Sequence, residues 1–152
     1  NVSNEQVFLN EEKINSLKLN KTELEKNICE FLISQPGISE AYPSDVIKYQ
    51  SFNSDDYKKL IQNGYKHTIS GNVAILLEPA WMDFSEKGTT HGSAYNYDTH
   101  IPIVFYGSGI KQGECYQHVN ITQIAPTISE ILEINQPNGC VSQPLNDKFI
   151  KK

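Results

Sequence analysis

His91 is the residue best suited to chemistry in this sequence. It lies in the polar stretch Gly88-Thr-Thr-His-Gly92, and a second histidine, His100, directly precedes the apolar run Ile101 to Tyr106. A neutral imidazole is a common zinc ligand, and a polar loop leading into a buried strand is where open α/β sheets place their ligands. One or two imidazoles do not close a catalytic zinc site, which takes at least three protein ligands around an open position. The chain therefore binds no metal, or it supplies part of a site whose other ligands lie elsewhere. Thr89 and Thr90 have no base beside them to activate a hydroxyl, so neither is expected to be a nucleophile. Ser108 and Gly109 lack the lysine and spacing of a phosphate-cradling loop and read as a strand-ending turn.

The elements that must position His91 are set by periodicity and capping. Gln6 to Leu9 favours a strand, and Asn10 can cap a helix starting at Glu11. Asn20-Lys-Thr-Glu23 predicts a second helix start, continued by the stripe Leu24, Ile28, Phe31, Leu32 and Gln35, with Pro36-Gly37 as its stop. Ile38 to Tyr42 and Val46 to Tyr49 predict extended segments on either side of a Pro43 turn. Ser54 is the expected cap of a third helix through Tyr57, Leu60 and Ile61, which Gly64 ends.

Val73 to Leu77 and Ile101 to Tyr106 are continuous apolar runs, as in strands buried on both faces, with Pro102 at the entry of the second. The long loop between them is expected to be mobile from Pro79 to Tyr97 when no metal orders it. Thr122 predicts a last helix with the face Ile124, Ile128, Ile131 and Leu132, and Pro137-Asn-Gly139 predicts a turn before a frayed basic tail.

Composition narrows the function classes. At 152 residues the chain suits a single α/β domain, within which residues 5–50 form an α+β subregion and residues 70–146 a sheet region carrying the His91 loop. A net charge of −5 without a Lys/Arg stripe argues against nucleic acid as a partner. No apolar run approaches the ~20 residues of a membrane span. The three cysteines, Cys29, Cys115 and Cys140, have no Cys-x-x-Cys spacing; buried thiols are the first expectation, with a Cys115–Cys140 disulfide as the alternative for an exported protein. His67 and His118 have no motif around them and should be exposed, and Trp81, Tyr95 and Tyr97 read as packing or rim residues.

Several motifs in order carry a family resemblance. Gly88-Thr-Thr-His-Gly92, Tyr97-Asp-Thr-His-Ile-Pro102 with Phe105-Tyr-Gly107, Ile121-Thr-Gln-Ile-Ala-Pro-Thr127 and Pro137-Asn-Gly-Cys140 together resemble the C-terminal portion of the alkaline phosphatase superfamily. The likeness is strongest to bacterial alkaline phosphatases that share a fold with type I phosphodiesterase/nucleotide pyrophosphatases. It is clear in the second half of the chain and looser around Leu9-Asn-Glu-Glu and Gln35-Pro-Gly-Ile38.

The resemblance implies an enzyme that hydrolyses phosphate monoesters, or phosphodiesters as a close alternative, with two zinc ions and a periplasmic or secreted location. The histidine of its Thr-His-Gly motif maps onto His91, the last zinc ligand in sequence. Thr90, Asp98 and His100 would then touch the His91 ring or hold its loop. The nucleophile and the Ser-Asp-His-Gly motif that supplies other ligands have no counterpart here. The resemblance thus implies a C-terminal fragment of a phosphatase with no catalytic residue of its own, no tight zinc site and open strand edges that favour self-association. From a different class, a complete small α/β module that binds a ligand without catalysis would fit the same composition.

Overall fold

The structure is a computed structural model, and it describes residues 1–53, 56–82 and 91–145. By internal contacts the chain divides into two compact units, Asn1–His100 and Ile101–Lys152.

The first unit is α/β and is built on an antiparallel sheet. β1 (Val2–Ser3) and β2 (Gln6–Val7) form a hairpin whose two turn residues, Asn4 and Glu5, both have positive φ, 49° and 51°. Such a two-residue turn matches the twist of its strands, and asparagine tolerates it. α1 (Glu11–Ser16) begins where the Asn10 side chain accepts from the Lys13 amide, and α2 (Lys21–Ile33) where Asn20 accepts from Glu23. β3 (Ile38–Pro43), α3 (Ser44–Tyr49), α4 (Tyr57–Gly64), β4 (Val73–Leu77) and the single turn α5 (Asn96–Thr99) complete it. The sheet order is β1-β2-β4-β3, so β4 lies inside, as its apolar run requires.

Alternation along β4 divides the core. Val73 and Ile75 face α2 and pack with Val7, Cys29 and Ala41, with Ile28 and Leu32 closing the layer. Leu76 and Tyr42 are buried as well, and the α3 residue Ile47 is fully enclosed. The α2 stripe is rotated from the expected one. Phe31 points to solvent, and Cys29 and Glu25 lie inward. Glu25 can be buried because the Ser44 hydroxyl and the Asn72 amide donate to its carboxylate at 3.2 and 3.3 Å.

Other expectations need correction. Val46 to Tyr49 is helical, not extended: Pro43 supplies an extended entry and Asp45 a favourable charge in the first turn. Ser54 lies outside the described residues, and Asp56 caps α4 by accepting from the Lys58 amide at 2.9 Å. Ile101 to Tyr106 forms no strand; Val104 is 84% exposed and Tyr106 fully so. Leu77, expected to be nearly buried alongside Val104 and Phe105, is half-buried, while Ile75 is buried. A strand needs a neighbour for its backbone, and the described sheet ends at β3 and β1.

In the second unit a 3₁₀ turn (Ile121–Gln123) leads into α6 (Ile124–Ile131). The entry is made by Asn120, whose amide donates to the Gln123 side chain at 2.9 Å. Thr122 is not the cap, since its hydroxyl pairs with Ser142. α6 buries Pro126, Thr127 and Ser129; of the expected face, Ile124 and Ile131 are half-buried while Ile128 and Leu132 are exposed. Pro137 closes the expected turn by accepting from the Cys140 amide at 3.0 Å. The three thiols are free, with Cys29 buried, Cys140 half-buried and Cys115 exposed, so there is no Cys115–Cys140 disulfide.

Candidate functional site

The candidate site is the chain on either side of α5. β4 ends at Leu77, and Ala80 turns with a positive φ of 65°. Residues 83–90, and with them Gly88, Thr89 and Thr90, lie outside the described residues, and so does the middle of the loop expected to be mobile. The chain is described again from His91, which is exposed and whose ring has no hydrogen bond or ion pair among the described residues.

Two residues after His91 the backbone is held firmly. The Ser93 amide and hydroxyl both donate to the Asp98 carboxylate, the amide at 3.0 Å. Asp98 thus holds the turn next to His91. Tyr95, only 8% exposed, donates its hydroxyl to the Leu77 carbonyl at 2.7 Å. Its ring meets Tyr57 edge-on at 5.0 Å and stacks on Tyr97 at 5.6 Å between centroids. The Tyr97 hydroxyl accepts from the Ala80 amide at 3.1 Å. Burial raises the pKa of the Tyr95 phenol, which therefore stays a hydrogen-bond donor through neutral and mildly alkaline pH.

His100 caps the end of α5 through its backbone amide, which donates to the Asn96 carbonyl at 2.8 Å, while its side chain is exposed. His67 and His118 are exposed, as expected. A carboxylate that sequence reasoning did not single out lies close by: a Cβ placed on Gly92 would sit 3.8 Å from both Glu5 carboxylate oxygens. Glu5 is far away along the chain, and only the β1–β2 hairpin brings it here. Beside this turn a cavity of about 400 Å³ opens, lined by Ile47, Leu60, Ala74, Trp81 and Tyr97, with Asp98 among its polar residues.

A zinc ion can be tested against these residues. His91 offers an exposed imidazole, as a ligand must, but no group of three histidine, cysteine, aspartate or glutamate side chains converges among the described residues. The described residues fit one corner of a metal site and not a whole one.

Along nearly its whole length the chain is homologous to alkaline phosphatases. It is 34% identical to alkaline phosphatase PafA of Elizabethkingia meningoseptica over 145 residues, 95% of this chain and 26% of that protein. It is 30% identical to alkaline phosphatase PhoV of Synechococcus elongatus over 146 residues, and 36% identical over 148 to a protein of Myroides odoratus named calcium-transporting ATPase. The crystal structure of wild-type PafA matches it with a TM-score of 0.88 at 32% identity, over 99% of this chain and 29% of that one. No family model matches the chain. The chain spans about a quarter of the length of the curated relatives it matches.

Proposed function

We propose that these 152 residues are part of a larger phosphatase that hydrolyses phosphate monoesters with two zinc ions, and that His91 is one of the zinc ligands. The observation that carries the reading is near-complete alignment with alkaline phosphatases at 30% identity or more. The exposed ring of His91 beside a braced turn is consistent with it. The name of the Myroides odoratus relative denotes hydrolysis of a phosphoanhydride, which shares phosphoryl transfer to water with the other names.

When bound, zinc would polarise the phosphoryl oxygens and lower the pKa of an oxygen nucleophile. This chain contributes the imidazole nitrogen of His91 and the means of aiming it. Asp98 aims it through the Ser93 backbone, and His100 is a loop-positioning residue that ends α5. The nucleophile and the remaining ligands belong to other parts of the polypeptide, so the chain alone has no turnover and no tight zinc site. A periplasmic or secreted location accompanies the reading. Among the described residues, no helix is long and apolar enough to cross a membrane.

The test compares His91→Ala and His100→Ala in the full-length polypeptide with p-nitrophenyl phosphate, and with its bis-ester for diesterase activity. His91→Ala is expected to lower zinc affinity and turnover by orders of magnitude and to leave the fold unchanged. His100→Ala should keep most activity. Equal activity of both variants after zinc repletion would remove His91 from the metal, and faster hydrolysis of the bis-ester would assign a phosphodiesterase.

A further inference from the structure

The Tyr95 side chain is more constrained than packing alone requires. Its phenol reaches the last carbonyl of β4, its ring lies between Tyr57 and Tyr97, and its own carbonyl accepts from the amides of Asp98 and Thr99 at 2.9 and 3.0 Å. Tyr97 makes the complementary bond, accepting from Ala80. Two phenols thus tie the exit of β4, Leu77 to Ala80, to the turn next to His91, and Asp98 passes that constraint to Ser93. Ser93 is thereby fixed two residues from His91, and contacts behind a ligand help to orient it.

We propose that Tyr95 is a positioning residue for His91: its hydroxyl fixes the His91 turn to the end of the central strand and so sets where the imidazole is presented. The inference rests on the reading of His91 as a zinc ligand. It adds a residue that never touches the metal and acts through backbone.

The effect is read in two ways. The first uses the full-length polypeptide without metal. Tyr95→Phe removes the hydroxyl and keeps the ring, so amide exchange at Asp98, Thr99 and His100 should accelerate about tenfold, the scale of one hydrogen bond, while the Ile75 amide in β4 stays within about twofold. Tyr97→Phe, which loses the second bond, should give a smaller effect at the same amides and serves if Tyr95→Phe folds poorly. Unchanged exchange in both variants, or equal acceleration at Ile75, would overturn the proposal.

The second readout is the zinc concentration for half-maximal activity of the full-length polypeptide. It should rise about tenfold in Tyr95→Phe with kcat at saturating zinc held within about twofold, since a displaced ligand weakens the metal and spares the chemistry. A purely structural tyrosine would lower yield and leave that concentration unchanged, and this outcome would also overturn the proposal. The two readings fail separately. If His91→Ala leaves the zinc requirement unchanged, the ligand assignment is wrong and the positioning role falls with it. If His91→Ala abolishes zinc binding and Tyr95→Phe alters nothing, the ligand assignment stands alone.

Discussion

Thr127 accepts the Leu145 amide at 2.8 Å and donates its own hydroxyl to the Gln123 carbonyl at 2.6 Å, and both Thr127 and Leu145 are buried. One hydroxyl therefore joins the end of the described chain to the first turn of α6, and the helix turns its polar side inward to do so. Thr127→Val keeps the shape and removes both bonds, leaving a buried amide without an acceptor. It should destabilise the second unit by about 1–3 kcal/mol, and Thr127→Ser should recover most of the loss. Urea denaturation of the three proteins measures the difference; equal midpoints would show that the amide finds another partner.

The thiols should separate by reactivity. Cys29 is buried between α2 and the sheet, and burial, helped by the Glu25 and Glu30 carboxylates, pushes its pKa up to about 11. The neutral thiol is a poor nucleophile, so Cys29 should react only on unfolding. Cys115 is exposed and should be labelled first by a disulfide reagent at pH about 8, with Cys140 slower and Cys29 last. Rapid release of three equivalents under native conditions would mean that α2 does not stay on the sheet.

Local signals were legible and non-local ones were not. Asn10 and Asn20 cap their helices as the sequence predicts, because a cap involves residues three apart. Val73 to Leu77 is a central strand, and its uninterrupted apolar run states as much. Ile101 to Tyr106 has the same signature and forms no strand, with Val104 and Tyr106 exposed, since a run of apolar residues reports what it could bury and not whether a neighbour is present. Of the site, His91 was visible through its motif. The bond from Tyr95 to Leu77 and the approach of Glu5 to Gly92 depend on pairings set by the sheet, for which no pattern in the chain is a proxy.

Charge at the start of α2 gives a pH prediction. The Lys21 ammonium donates to Glu11 at 2.6 Å, which lowers the Glu11 pKa below 4.5 and raises that of Lys21 above 10.5. The Glu11 contribution to stability is present above its unfolded pKa and lost as pH falls through the lower folded value. The Lys21 contribution is present below its unfolded pKa and lost as pH rises through the higher folded one. Lys21→Met should therefore lower Tm by a small, constant amount between about pH 5.5 and 9.5, with the gap closing on both sides and shrinking in salt because the pair is exposed. A gap that grows with acid would show that some other group carries it.

The partly exposed run Ile101 to Tyr106 predicts self-association. Val104 and Tyr106 are open to solvent, Pro102 removes one donor near its start, and the remaining residues are β-branched or aromatic and uncharged. Among the described residues this segment joins no sheet, and a second strand would satisfy its backbone groups and cover its apolar side chains together. The chain should sediment with a mass that grows with concentration. Val104→Lys places a charge where pairing would bury it, and should return the chain to monomer without lowering stability, since the side chain is already exposed. A monomeric wild type at high micromolar concentration, or a Val104→Lys protein that associates equally, would assign the run to solvent rather than to a strand partner.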